Sequence, residues 1–220
     1  MNQELIHVYF MPGMAASSSI FEYIKLPESQ YKIHLLDWIL PTKDESIVSY
    51  AERMSEKIEH SNSVLLGVSF GGILVQEMSK FLKLKKLIIV SSVKSHAELP
   101  KRMKILRATR AYHLIPTRLA KNVDALAKYA FGKTITRRIE LYKKYLSMNN
   151  KQYLDWAIKE MICWQKTEIE HEVIHIHGDK DAVFPISHIK NCIIVKNGTH
   201  IMIINKYKWF NENLPSLIMR

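Results

Sequence analysis

The stretch Ser-Val-Leu-Leu-Gly-Val-Ser-Phe-Gly-Gly at residues 63–72 decides the fold. It contains the pattern G-x-S-x-G, with Ser69 between Gly67 and Gly71, directly after an apolar run and directly before residues of helical periodicity. A sharp strand-to-helix turn is the setting in which this pattern exposes a nucleophilic serine near helix N–H groups. The alternative, a Gly-Ser loop that only turns the chain, is disfavoured by the strand and helix on either side. We therefore predict that Ser69 is a nucleophile.

Similar apolar, β-branched runs recur along the chain and predict six buried strands, at 5–10, 32–37, 63–68, 85–91, 172–177 and 191–195. Amphipathic helices are predicted at 46–60 and 70–82. Because strands and helices alternate, we expect an α/β fold, a mostly parallel six-stranded sheet with helices on both faces. The alternation stops between 92 and 171, where four basic helices are predicted near 98–112, 117–131, 135–147 and 150–164. The prediction is a core at 1–93 and 167–220 with an inserted helical cap at 94–166.

Composition limits the class of protein. The chain has 220 residues, of which 47% are hydrophobic and 24% charged, so it can bury a sizeable core and is expected to form one domain. Its two cysteines, Cys163 and Cys192, cannot form a disulfide framework. The first ten residues lack the features of a signal peptide, and no apolar run approaches the length of about 18 residues that spans a membrane. We expect a cytoplasmic protein.

A serine nucleophile needs a base and an orienting acid, and the sequence offers both after late strands. The loop after the fifth strand carries two aspartates, Asp179 and Asp181, at the edge of the sheet where sites of open α/β folds lie. Either aspartate could be the acid, although Asp179 could instead be a turn residue. His200 follows the sixth strand and is the predicted base.

The chain resembles the α/β-hydrolase superfamily in residues 67–72, 178–185 and 197–200, and in the order Ser, Asp, His along the sequence. The resemblance favours Asp181 as the acid and implies that the backbone N–H groups of Met14 and Phe70 form the oxyanion hole. It also implies a Ser-His-Asp acyl-enzyme mechanism for carboxylic esters or thioesters, with no metal or organic cofactor. Two departures stand out: Pro12 replaces the usual histidine, and the customary leading hairpin is missing, which predicts an exposed sheet edge.

Residues 171–175, His-Glu-Val-Ile-His, formally match the zinc-protease pattern H-E-x-x-H. That pattern requires a helix, whereas the β-branched residues here predict a strand. We therefore expect no zinc at this motif and interpret His175 and His177 as core histidines or as neighbours of the site.

The excess of positive charge is concentrated in the cap. Residues 94–166 contain 17 basic and 5 acidic residues, whereas the whole chain has a net charge of +11. A one-signed surface attracts anions, and candidate partner-binding residues are Lys101, Arg102, Lys104, Arg107 and Arg110.

An acidic acyl carrier protein would explain both the charge and the hydrolase pattern, as in the pimeloyl carrier-protein methyl esterases, which the chain resembles in architecture. Acyl-CoA or another anionic metabolite, or an anionic membrane surface, are alternatives, and nucleic acid is disfavoured because no nucleic-acid module is present. The remaining alternatives are a small-molecule carboxylesterase with a merely solvated basic cap and a non-catalytic binding protein with the same fold.

Overall fold

A six-stranded parallel sheet forms the centre of the protein. The computed structural model describes residues 5–115, 144–146, 148–165 and 172–220. The strands are β1 (Ile6–Met11), β2 (Tyr31–Leu35), β3 (Ser63–Val68), β4 (Leu84–Val90), β5 (Val173–Gly178) and β6 (Ile193–Val195). Their order is β2-β1-β3-β4-β5-β6 and every pairing is parallel, which confirms the predicted α/β architecture.

Helices cover both faces of this sheet. They are α1 (Ile47–Ser55), α2 (Phe70–Met78), α3 (Lys101–Ala108), α4 (Lys151–Cys163), α5 (Met202–Asn205) and α6 (Tyr207–Met219). Strand β3 is buried at every position, and its side chains alternate between two apolar layers. Leu65 packs with residues of α1, α2 and α4, whereas Val64 and Leu66 pack with residues of α6. Among the described residues, no helix is long and apolar enough to cross a membrane.

The predicted cap is only partly described. The helix expected at 98–112 is observed as α3 followed by a short turn, and the one expected at 150–164 is observed as α4. The helix at 117–131 and nearly all of the one at 135–147 lie outside the described residues, so the boundaries of the cap stay a prediction.

Helix α4 packs directly on the core. Its Asn150 cap accepts a hydrogen bond from the backbone N–H of Tyr153. The ring of Trp156 lies 4.4 Å from that of Tyr50 on α1, centroid to centroid, and its indole N–H donates to the backbone oxygen of Glu45 at 2.8 Å. Trp156 therefore joins α4 to the segment around α1.

Candidate active site

Ser69 lies at the turn between β3 and α2, in a backbone conformation that few residues adopt. Its φ and ψ angles are 54° and −120°, in a region that is costly for a residue with a side chain. The neighbouring chain is tightly packed, because a Cβ at Gly67 would lie 2.3 Å from the backbone oxygen of Gly71, and one at Gly71 would lie 2.2 Å from that of Pro12. Only glycine fits at these two positions, which explains the G-x-S-x-G pattern in physical terms.

Three side chains from separate loops meet above this turn. The Oγ atom of Ser69 lies 2.9 Å from Nε2 of His200, and Nδ1 of His200 lies 2.9 Å from Oδ2 of Asp181. The Asp181 side chain is fully buried, whereas that of His200 is 11% exposed. The ring of Phe184 packs edge-on against His200 with centroids 5.5 Å apart. The sequence-predicted nucleophile, acid and base are thus brought into one hydrogen-bonded line.

The carboxylate of Asp181 is fixed by its own loop. Its Oδ1 atom accepts hydrogen bonds from the backbone N–H groups of Val183 and Phe184, at 2.8 and 2.9 Å. Burial opposes ionisation of this carboxyl, but the charge and hydrogen bond of His200 and the Phe184 N–H lower its pKa below the ordinary value. Asp181 is therefore an anion at neutral pH and can stabilise a protonated His200.

Asp179, the alternative acid, is placed differently. Its Oδ1 atom is buried and has no hydrogen-bond partner among the described residues. The structure brings Asp181, and not Asp179, to His200.

Two further histidines lie behind the acid. Nε2 of His177 donates to the backbone oxygen of Phe184 at 2.8 Å and lies 3.5 Å from Oδ2 of Asp181, while His175 contacts His177 at 3.1 Å. Burial lowers the pKa of both imidazoles, that of His175 to about 3. Both are therefore neutral, and Asp181 stays the charged partner of His200.

This pair also bears on the H-E-x-x-H motif. Val173–Gly178 is strand β5, so the local backbone is extended as predicted and not helical. His171 lies outside the described residues.

The loop after β1 runs close to Ser69. A Cβ at Gly13 would lie 3.4 Å from Cβ of Ser69. Remote side chains hold this loop: the indole N–H of Trp38 donates to the Gly13 oxygen at 2.8 Å, and the N–H of Ala15 donates to the hydroxyl of Tyr153 at 3.3 Å. These two residues were not predicted, because no local motif marks a side chain that reaches a distant loop.

The predicted oxyanion-hole residues flank this point. Met14 is half-buried within the loop after β1, and Phe70 is the first residue of α2, where backbone N–H groups lack helical partners. Their positions are compatible with the predicted role of their N–H groups.

The five basic residues predicted to bind a partner lie on and just after α3. Lys101, Arg102, Lys104 and Arg110 are exposed and Arg107 is half-buried. Arg102 also has an internal contact: Nη2 donates to the backbone oxygens of Ala182 and Val183, at 3.2 and 3.1 Å. Arg102 therefore links α3 to the loop that carries Asp181.

No family model matches the sequence, and no curated protein does so significantly. Solved structures do match. An esterase from Exiguobacterium antarcticum has 16% identity and a TM-score of 0.72, with 100% of this chain and 94% of the other covered. A hydrolase from Pseudomonas aeruginosa PA01 has 14% identity and a TM-score of 0.71, with 97% and 90% covered.

A bromoperoxidase from Bacillus anthracis has 21% identity and a TM-score of 0.68, with 100% of this chain and 94% of the other covered. Likeness at this level of identity establishes the fold alone. Together with the strand order, it confirms the α/β-hydrolase fold that the sequence predicted.

Proposed function

We propose that this protein with the α/β-hydrolase fold is a serine hydrolase that cleaves carboxylic esters or thioesters through an acyl-enzyme. The observation that carries the proposal is the line from Ser69 Oγ through His200 to Asp181, with both contacts at 2.9 Å. A serine hydroxyl, a base within hydrogen-bond reach and a buried acid that orients the base form the constellation needed for acyl transfer. Similar structures named as esterases support the same reaction class.

In the proposed mechanism, Ser69 Oγ attacks the carbonyl carbon of the ester while Nε2 of His200 takes its proton. Asp181 holds the imidazole so that Nδ1–H faces the carboxylate, and it stabilises the imidazolium. The N–H groups of Met14 and Phe70 stabilise the oxyanion, and each such donor typically contributes about 10²- to 10³-fold in rate. His200 then protonates the leaving group, and water activated by the same imidazole releases the acyl group.

We propose that the acyl group of the substrate is attached to an acidic carrier protein or to another anionic group. The support is three exposed basic residues on and just after α3, Lys101, Lys104 and Arg110, in a segment with a strong positive excess. The same helix reaches the loop of Asp181 through Arg102. A small neutral ester is the alternative, in which these charges have no role in substrate binding; the ammonium group of Lys104 also donates to the backbone oxygen of Ala97 at 2.7 Å.

Activity-based labelling tests the reaction class. A fluorophosphonate probe is expected to label the wild-type protein and the Ser61→Ala control, because Ser61 is exposed and precedes β3, whereas Ser69 follows the other end of that strand. Ser69→Ala should lose both the label and the hydrolysis of a chain-length series of nitrophenyl and thioester substrates. Labelling of Ser69→Ala at the wild-type level would contradict the proposal.

A further inference from the structure

Three histidines from different parts of the chain meet on one face of the sheet. In the parallel pairing of β1 with β2, His7 is opposite Lys32 and Tyr9 is opposite His34. Residues two apart on a strand share a face, as do paired residues on neighbouring strands. His7, Tyr9 and His34 therefore project from the same face. His60, in the loop between α1 and β3, reaches the same place.

The three imidazoles are in direct contact. Nδ1 of His7 lies 2.8 Å from Nε2 of His34. The rings of His7 and His60 stack with centroids 3.4 Å apart, and those of His34 and His60 lie 5.2 Å apart. One nitrogen from each ring can be chosen so that all three lie within 4.8 Å of one another. All three residues are half-buried, so a small ion can reach them from solvent.

From this cluster we propose that His7, His34 and His60 bind a divalent transition-metal ion such as Zn²⁺. Zinc–nitrogen bonds of about 2.0–2.1 Å place tetrahedral ligands about 3.3 Å apart. The distances between the ligand nitrogens range from 2.8 Å, between His7 and His34, to at most 4.8 Å, so the tetrahedral value lies within the observed range. The ion replaces the proton shared by His7 and His34, their nitrogens separate slightly, and the His60 ring tilts out of its stack. Three imidazoles and a water complete a four-coordinate site.

Tyr9 orients the third ligand. Its hydroxyl lies 2.6 Å from Nδ1 of His60 and accepts a hydrogen bond from the N–H of Glu59 at 3.2 Å. The hydroxyl oxygen has two lone pairs, so it can also accept the Nδ1 proton of His60. Nε2 of His60 is then left for the ion. Partners of this kind, which fix the tautomer of a ligating histidine, are typical of metal sites.

The metal site is distinct from the proposed catalytic site. Met11 of β1 pairs with Gly67, next to the Ser69 turn, and His7 lies four residues earlier on the strand, roughly 13 Å away. The ion therefore joins β1, β2 and the loop before β3 and has no part in acyl transfer.

The test is a titration of the untagged, metal-stripped full chain with Zn²⁺ by calorimetry and with Co²⁺ by visible absorption. We expect one ion per chain and the strong visible bands of four-coordinate Co²⁺. At about 100 times the dissociation constant, Zn²⁺ should raise Tm by about 5–10 °C. His34→Gln and His60→Gln should each weaken binding at least about tenfold, while His96→Gln, at an exposed histidine elsewhere, should bind as the wild type does.

A further variant separates this site from the catalytic residues. His200→Ala, expected to abolish hydrolysis, should bind the ion normally, so failure of the metal proposal and failure of the proposed function are distinguishable. Absence of stoichiometric binding to the wild-type chain would overturn the proposal, whether or not the variants fold. The proposal would also be overturned if folded His34→Gln and His60→Gln bound the ion as tightly as the wild type does, or if binding were lost in His200→Ala alone.

Discussion

Asp179 and Asp181 are chemically identical side chains two residues apart, and their surroundings differ. Only Asp181 accepts hydrogen bonds from Val183, Phe184 and His200. We expect Asp181→Asn to lower kcat for a nitrophenyl ester about 10³- to 10⁴-fold, because an amide favours the wrong tautomer of His200 and cannot stabilise its cation. Asp179→Asn, the matched control, should change kcat little. Steady-state kinetics of both variants decide the matter, and a larger loss in Asp179→Asn would move the acid role to that residue.

At the same scale, the sequence was informative where a residue belongs to a local motif. Gly67, Ser69 and Gly71 lie within five residues of one another, and the steric reason for the two glycines is local to the turn.

His7, His34 and His60 have no such signal in the sequence, since the register between β1 and β2 brings the first two together. Trp38 and Tyr153 were missed for the same reason. The two aspartates could be separated only by resemblance, because both follow the same strand.

Among the elements, strands were predicted within two residues and helix ends less well. A buried parallel strand is an apolar run, so its limits are visible in the sequence. The helix expected at 46–60 ends at Ser55, whose hydroxyl donates to the Ala51 oxygen. Beyond it, the N–H of Glu59 donates to the hydroxyl of Tyr9 on β1. The Glu59 N–H therefore bonds to a distant strand instead of to a helical carbonyl. Hydrophobic periodicity cannot predict such a contact, because it depends on a residue far away in the sequence.

Among the elements, α3 is where substitutions can test whether the substrate is anionic. Because Arg102 contacts the acid loop, it is left unchanged, and Lys101, Lys104 and Arg110 are reversed to Glu. If these residues steer a carrier protein, kcat/KM for a carrier-bound thioester should fall about tenfold or more in the triple variant at low salt. Raising the salt should produce the same loss in the wild type, since the Debye length is only about 8 Å at physiological ionic strength.

A small neutral nitrophenyl ester is the control substrate for this experiment. Its hydrolysis should hardly respond to salt or to the triple reversal, because it has no charge to steer. Equal responses of the two substrates would instead identify the basic residues as a solvated surface and favour the small-molecule esterase.

For the whole molecule, the buried imidazoles make the folded state sensitive to acid, because they are neutral in the folded protein and become protonated when it unfolds. His175 and His177 lie on β5, between β4 and the edge strand β6, and are buried, with 2% and 0% of their surface exposed. Burial lowers the pKa of both, in the case of His175 from 6.5 to about 3. Between those two pH values the unfolded chain binds a proton at His175 that the folded chain does not bind. The contribution of neutral His175 to the free energy of unfolding is therefore fully present above about pH 6.5 and is lost as the pH decreases towards 3.

Each pH unit in that window costs up to about 1.4 kcal/mol for one such histidine, so the loss between pH 6.5 and 4.5 attributable to His175 is about 2–3 kcal/mol. Urea denaturation followed by circular dichroism, with a chelator present and at a series of pH values, measures it. His175→Gln should be less stable at pH 7.5, because the packing is disturbed, but its stability should decrease less steeply on acidification. His96→Gln, at an exposed histidine, should retain the wild-type slope. Parallel pH profiles for wild type and His175→Gln would show that folding does not lower the pKa of His175, contrary to the effect expected from its burial.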